Sequence, residues 1–168
     1  MTTFAAGQRV TAAQLNQIQP LVVYKTTATT RASTTTQVLD PDLQMTLSAG
    51  GVYMVEFGIL YASGATGKLA TSWAIPSDAS GSGRSAVGLD SSVSNATPEG
   101  VMRAGVHGFA TAAAYGDRAS TASLFAVETA VVTMGAAGVV GLMWAQSVSN
   151  ATVVSVGSTS YMKAQQIG

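Results

Sequence analysis

The chain has 168 residues, of which 47% are hydrophobic and 10% charged, with eight basic residues against eight acidic ones. That length supports one domain with its own core, yet the charged share falls far below the usual quarter or so. Zero net charge, with basic residues scattered singly from Arg9 to Lys163, argues against nucleic acid as a partner, because phosphate binding needs clustered Lys and Arg. The absence of cysteine excludes disulfides and thiolate metal sites.

A neutral, charge-poor monomer has poor colloidal solubility. Part of this surface is therefore expected to be buried against partners. The N-terminal "MTTFAAGQRV" shows no basic region followed by an apolar run, so no secretory signal is expected. Next, "TAAQLNQIQP" has a capping-box start, Thr11 with Gln14 three residues later. Ala12, Leu15 and Ile18 then recur at helical spacing until Pro20. A helix this short is not stable alone and must dock. Residues 1–20 are expected to form an arm with a short helix that either folds back on its own domain or reaches a neighbour as an anchor, with Phe4, Val10, Leu15 and Ile18 as its apolar contacts.

From Leu21 the texture turns to β. Candidate strands in order are "PLVVYKT", "TTQVL", "LQMTL", "GVYMVEFGILYA", "KLATSWAI", "VMRAGVHGFA", "ASLFAVETAVV", "GVVGLMWAQSV", "ATVVSVG" and "SYMKAQQI". They are rich in Val, Thr, Tyr and Phe and are divided by Gly, Ser, Asn, Asp and Pro. So many short strands predict an all-β fold over 21–168, an antiparallel β-sandwich with jelly-roll-like connections. The Thr-rich residues 26–37 are expected to run extended, and residues 76–100 to form a long irregular loop. "SVSNAT" occurs at 92–97 and again at 147–152, where it reads as a hairpin turn with Asn150 suited to positive φ. The charge-free stretch from Thr129 to Met162 is interrupted by Thr and glycines, so strands are expected there and no membrane span.

"YMVEFGILY", residues 53–61, poses a specific problem. As a strand it puts Tyr53, Val55, Phe57, Ile59 and Tyr61 on one face and Met54, Glu56, Gly58 and Leu60 on the other. Both faces are mostly apolar, whereas an exposed sheet normally keeps one face wet. Tyr53, Phe57, Tyr61 and Trp144 are therefore expected in the core or at a subunit interface. Glu56 is expected to pair with Arg103 or Arg118.

Chemistry-bearing patterns are few. His107 is the sole histidine and has no cysteine or neighbouring acid for a zinc site or a triad, so a structural role is expected. Asp40 and Asp42 in "LDPDL" could ligate calcium, but they lack EF-hand spacing and suit a turn. "GSGRSA" lacks the strand and helix that a dinucleotide fingerprint needs. Ser160 and Lys163 have Ser-x-x-Lys spacing, but on a strand they face opposite ways. No catalytic, metal or cofactor-binding residue is expected, and no enzyme. Trp73 is the candidate ligand-facing residue, beside the 76–100 loop, for a carbohydrate-binding reading.

"FAAGQRVTAAQLNQIQP" resembles the opening of small virion proteins of tailed phages infecting actinobacteria. "VVYKTTATTRASTTTQVLDPDLQMTLSAGGVYMVEFGILYASG" looks like the first strands of their β domains. "GLMWAQSVSNATVVSVGSTSYMKAQQIG" resembles their closing hairpin and final strand, and is also similar to tumour-necrosis-factor and C1q-type jelly rolls. The resemblance implies a non-enzymatic virion structural protein, a homotrimer on the virion surface, made in the host cytoplasm and not secreted. It implies a capsid decoration or head-fibre protein docked to the major capsid protein or another virion protein. The alternatives are a tail or baseplate component, such as a minor tail protein, or a receptor-recognition module for a host-surface glycan.

Overall fold

The computed structural model describes residues 6–11, 19–94 and 100–168, and of residues 119–121 the backbone alone. Among the described residues there are twelve strands and no helix. They are β1 Leu21–Tyr24, β2 Thr29–Arg31, β3 Val38–Leu47, β4 Val52–Ser63, β5 Leu69–Ala74, β6 Arg84–Leu89, β7 Met102–His107, β8 Ala113–Ala114, β9 Ala119–Thr133, β10 Gly138–Gln146, β11 Val154–Val156 and β12 Tyr161–Gln166.

The strands form two sheets. The large one runs β1-β12-β4-β9-β6-β7, with β11 lying on the same edge of β4 as β12 and β2 lying beyond β11. The small one runs β3-β10-β5-β8. Every pairing is antiparallel. The chain passes back and forth between the sheets, from β1 to β3, β4, β5 and again from β8 to β9, β10 and β12. This is the jelly-roll wrap expected for such a run of strands.

Alternation on each strand fills the space between the sheets. Val55, Phe57 and Ile59 of β4, Val132 of β9 and Leu142 and Trp144 of β10 are fully buried. Phe57 meets Trp73 edge-on, with ring centroids 4.7 Å apart and planes at 71°, a favoured aromatic geometry. Each such buried side chain contributes roughly 1.5–3 kcal/mol of transfer free energy.

Three expectations are corrected. "TTQVL" and "LQMTL" are not two strands: Pro41 falls inside the single β3, at the edge of the small sheet, where a missing N–H is tolerated. Residues 76–100 are not all loop. They contain β6, which pairs with both β7 and β9 because its Arg84 has a buried partner on β9. The second "SVSNAT" is not a hairpin turn, since β10 and β11 belong to different sheets and the segment crosses between them. Asn150 lacks positive φ; its carboxamide oxygen instead accepts the Thr152 N–H at 2.8 Å, as in an Asx-turn.

Candidate functional site

Two charge clusters are sealed inside the sandwich. In the first, Glu128 of β9 is fully buried. Its carboxylate takes the Arg84 guanidinium at 2.6 Å, the Trp73 indole N–H at 2.5 Å, the Tyr115 hydroxyl at 2.5 Å and the Thr71 hydroxyl. Arg84 Nη2 donates to the carbonyls of Thr71 and Thr111, both at 2.8 Å, while its buried Nε has no hydrogen-bond partner. Burial, then the Glu128 charge and hydrogen bond, holds the Tyr115 hydroxyl protonated far above its ordinary range. The cluster ties β5, β6, β9 and the residue after β8 together; its carboxylate is closed off, and the Tyr115 ring reaches the wall of a surface cleft.

In the second cluster, Lys25 and Asp40 are both fully buried. The Lys25 ammonium bonds Asp40 at 2.9 Å, Asp42 at 2.8 Å and the Thr29 hydroxyl at 3.0 Å. The Trp144 indole N–H adds a 2.8 Å bond to Asp40. The space between the two aspartates is thus occupied by the chain's own cation, and within β3 Asp40 Oδ1 also accepts the Asp42 and Leu43 N–H groups at 3.0 and 3.3 Å. Arg31 lies 4.0 Å above the Trp144 ring, and desolvation there lowers its pKa against the opposing pull of Asp40.

Trp73 therefore corrects the ligand-facing expectation. It is 2% exposed, stacked on Phe57 and bonded to Glu128. Its position in "TSWAIP" alternates inward, and the partner that satisfies its N–H lies 55 residues away, which no local pattern reveals. Tyr53, Phe57, Tyr61 and Trp144 are all core residues, not interface residues. Tyr61 donates to the Gly116 carbonyl at 2.9 Å, and burial raises its pKa, helped by the Asp117 charge. Of the anchoring set, Val10 is 46% exposed, while Phe4, Leu15 and Ile18 lie outside the described residues.

The surface that remains is the outer face of the large sheet. In register across it run Tyr24, Tyr161, Gly58, Val127, Val87 and Ala104. The adjacent row is Val22, Lys163, Glu56, Thr129, Ser85 and Val106. Met54 pairs with Val131, and Leu60 with Phe125. Tyr24 is 63% exposed, Val106 75% and Phe125 45%. Single exposed apolar residues are ordinary, but this face gathers several of them around a few polar residues, which makes it a candidate interaction surface.

The centre of that face is built with care. A Cβ on Gly58 would lie 2.2 Å from the Tyr161 ring and 2.9 Å from the Phe125 ring, so the glycine is what lets both rings lie over β4. Tyr161 then donates to Glu56 at 2.8 Å, a correction to the expected pairing of Glu56 with Arg103 or Arg118. That hydrogen bond is the main cause of the raised Tyr161 pKa, with burial second. Lys163 sits opposite Glu56 in the ladder. Glu56 and the Tyr161 hydroxyl at the middle of the face thus satisfy each other, which lowers the cost of burying them.

No family model matches this chain, and no curated protein matches it. Among the described residues no His, Asp or Glu grouping of metal-binding size occurs, and no helix is long and apolar enough to cross a membrane.

Proposed function

We propose that the chain is a virion structural protein without enzymatic activity, a homotrimer that decorates the capsid or forms a head fibre and docks through its N-terminal arm. The apolar outer face of the large sheet carries the assembly half of this reading. A largely apolar face that spans β1 to β7, with Glu56 at its centre held by the Tyr161 hydroxyl, suits burial against further copies, as in obligate interfaces that resemble a divided core. The choice of three subunits and of a phage particle rests on the resemblance of residues 4–20 and of the closing strands to small virion proteins and threefold jelly rolls.

The arm is tested by deleting residues 1–19 and mixing the product with particles that lack this protein. A soluble oligomer that no longer binds particles is expected. Undiminished binding would remove the anchoring role. Imaging of intact particles separates capsid decoration from a tail or baseplate position. The carbohydrate-binding reading loses its chosen platform, because Trp73 and Trp144 are both buried.

A further inference from the structure

β7 extends the large sheet beyond β6, and its inward face faces a cleft rather than the core. Register with β6 places Arg103, Gly105 and His107 on that face, opposite Gly88, Ala86 and Arg84. The cleft has a volume of about 100 Å³ and is walled by Arg103, His107, Ser91, Tyr115 and Ala114. Its floor is made of glycine and alanine. A Cβ on Gly105 would stand 3.2 Å from His107 Nε2, so any larger residue there would take up the space.

The ionisable groups on this wall are cationic or neutral. Asp90 is the acid whose charge reaches Arg103, and its Oδ1 is engaged by the Ser92 N–H and hydroxyl, each at 2.8 Å. Arg103 and His107, four residues apart on one face of an edge strand, thus line the same open space, and no hydrogen-bonded acceptor among the described residues fills it. The volume is smaller than the roughly 150 Å³ cavity that takes a benzene ring, which matches an oxyanion head group and not a whole sugar. Arginine in particular forks onto carboxylate or phosphate oxygens.

We propose that this cleft is a small-oxyanion site, in which Arg103 and His107 hold a carboxylate or phosphate group. It lies on the opposite face of the large sheet from the proposed assembly surface, so the two can act together. The ligand is a free phosphate-type ion or the acid group of a larger molecule such as an acidic sugar.

The test is calorimetric titration of the full chain with inorganic phosphate and, separately, with glucuronate. Saturable binding of at least one is expected; preference for phosphate identifies the free ion, and equal or better glucuronate binding identifies the sugar acid. Arg103→Gln should weaken binding about tenfold or more, the scale of one charge-assisted hydrogen bond, and His107→Gln should weaken it as well. Gly105→Val should abolish binding while thermal melting stays unchanged. Arg9→Gln, which removes an exposed charge elsewhere, should have no effect. No saturable binding of either ion, or equal losses in Arg103→Gln and Arg9→Gln, overturns the proposal.

Discussion

The two faces of the large sheet are built from the same strands and obey different rules. The inward face buries Tyr53, Phe57 and Tyr61 within one subunit and closes over a carboxylate with a full set of donors. The outward face leaves Tyr24, Phe125 and Val106 in water while pairing Glu56 with the Tyr161 hydroxyl at its centre. An apolar residue in this chain therefore signals the core or a partner depending only on strand parity. The aromatic rings of β4, which look like the reason for assembly, are fully accounted for by the monomer. The proposed assembly rests instead on the alternate positions of β1, β9, β7 and β12.

The sharpest way to break the inward rule is Glu128→Ala. It strands the Arg84 charge in the core and should cost about 3–5 kcal/mol, measured by denaturant unfolding. Arg84→Met combined with Glu128→Gln should recover much of that loss. The comparison itself is sharpened by a matched pair. Phe57→Ala should destabilise the subunit by about 3–5 kcal/mol. Phe125→Ala, one strand away and facing outward, should cost about 1 kcal/mol or less yet weaken self-association. Equal effects on unfolding would erase the distinction between the faces.

Gly58→Val is smaller in scale but specific. It pushes the Tyr161 and Phe125 rings off β4 and should cost about 1–3 kcal/mol through overpacking. It should also return the Tyr161 phenol toward ordinary titration, read by ultraviolet absorbance. The smallest effect is alkaline. Tyr61, Tyr115 and Tyr161 all have raised pKa values, the first two chiefly by burial and the third chiefly by its bond to Glu56. An unfolded tyrosine ionises at about pH 10. Above that pH the unfolded chain loses protons that the native one keeps, so the tyrosines' contribution to stability should be constant below about pH 10 and fall steadily above it. A melting temperature that rises there would contradict the assigned causes.

Much of the sandwich was legible because period-two alternation survives in the long strands β4, β9 and β10. What escaped was written in residues that act at a distance. β6 is the stretch "RSAVGL", which reads as loop because its glycine is exchanged for space against the Tyr115 ring and its arginine for an ion pair 44 positions away. Trp73 looked like a ligand platform for the same reason, its acceptor being equally remote. The outward rows were present in the sequence as alternate positions but depended on knowing which strands are neighbours. In the arm, helical spacing shows only a short helix that must dock, the anchoring role comes from the resemblance, and Phe4, Leu15 and Ile18 lie outside the described residues.

The direct test of the assembly claim is the mass of the purified protein in solution, by light scattering across a wide concentration range. The outward face predicts an oligomer, and the resemblance sets it at three times 16.9 kDa; it should dissociate when Tyr24 and Phe125 are both replaced by Lys. A stable 16.9 kDa species at every concentration, unchanged by those substitutions, would contradict it.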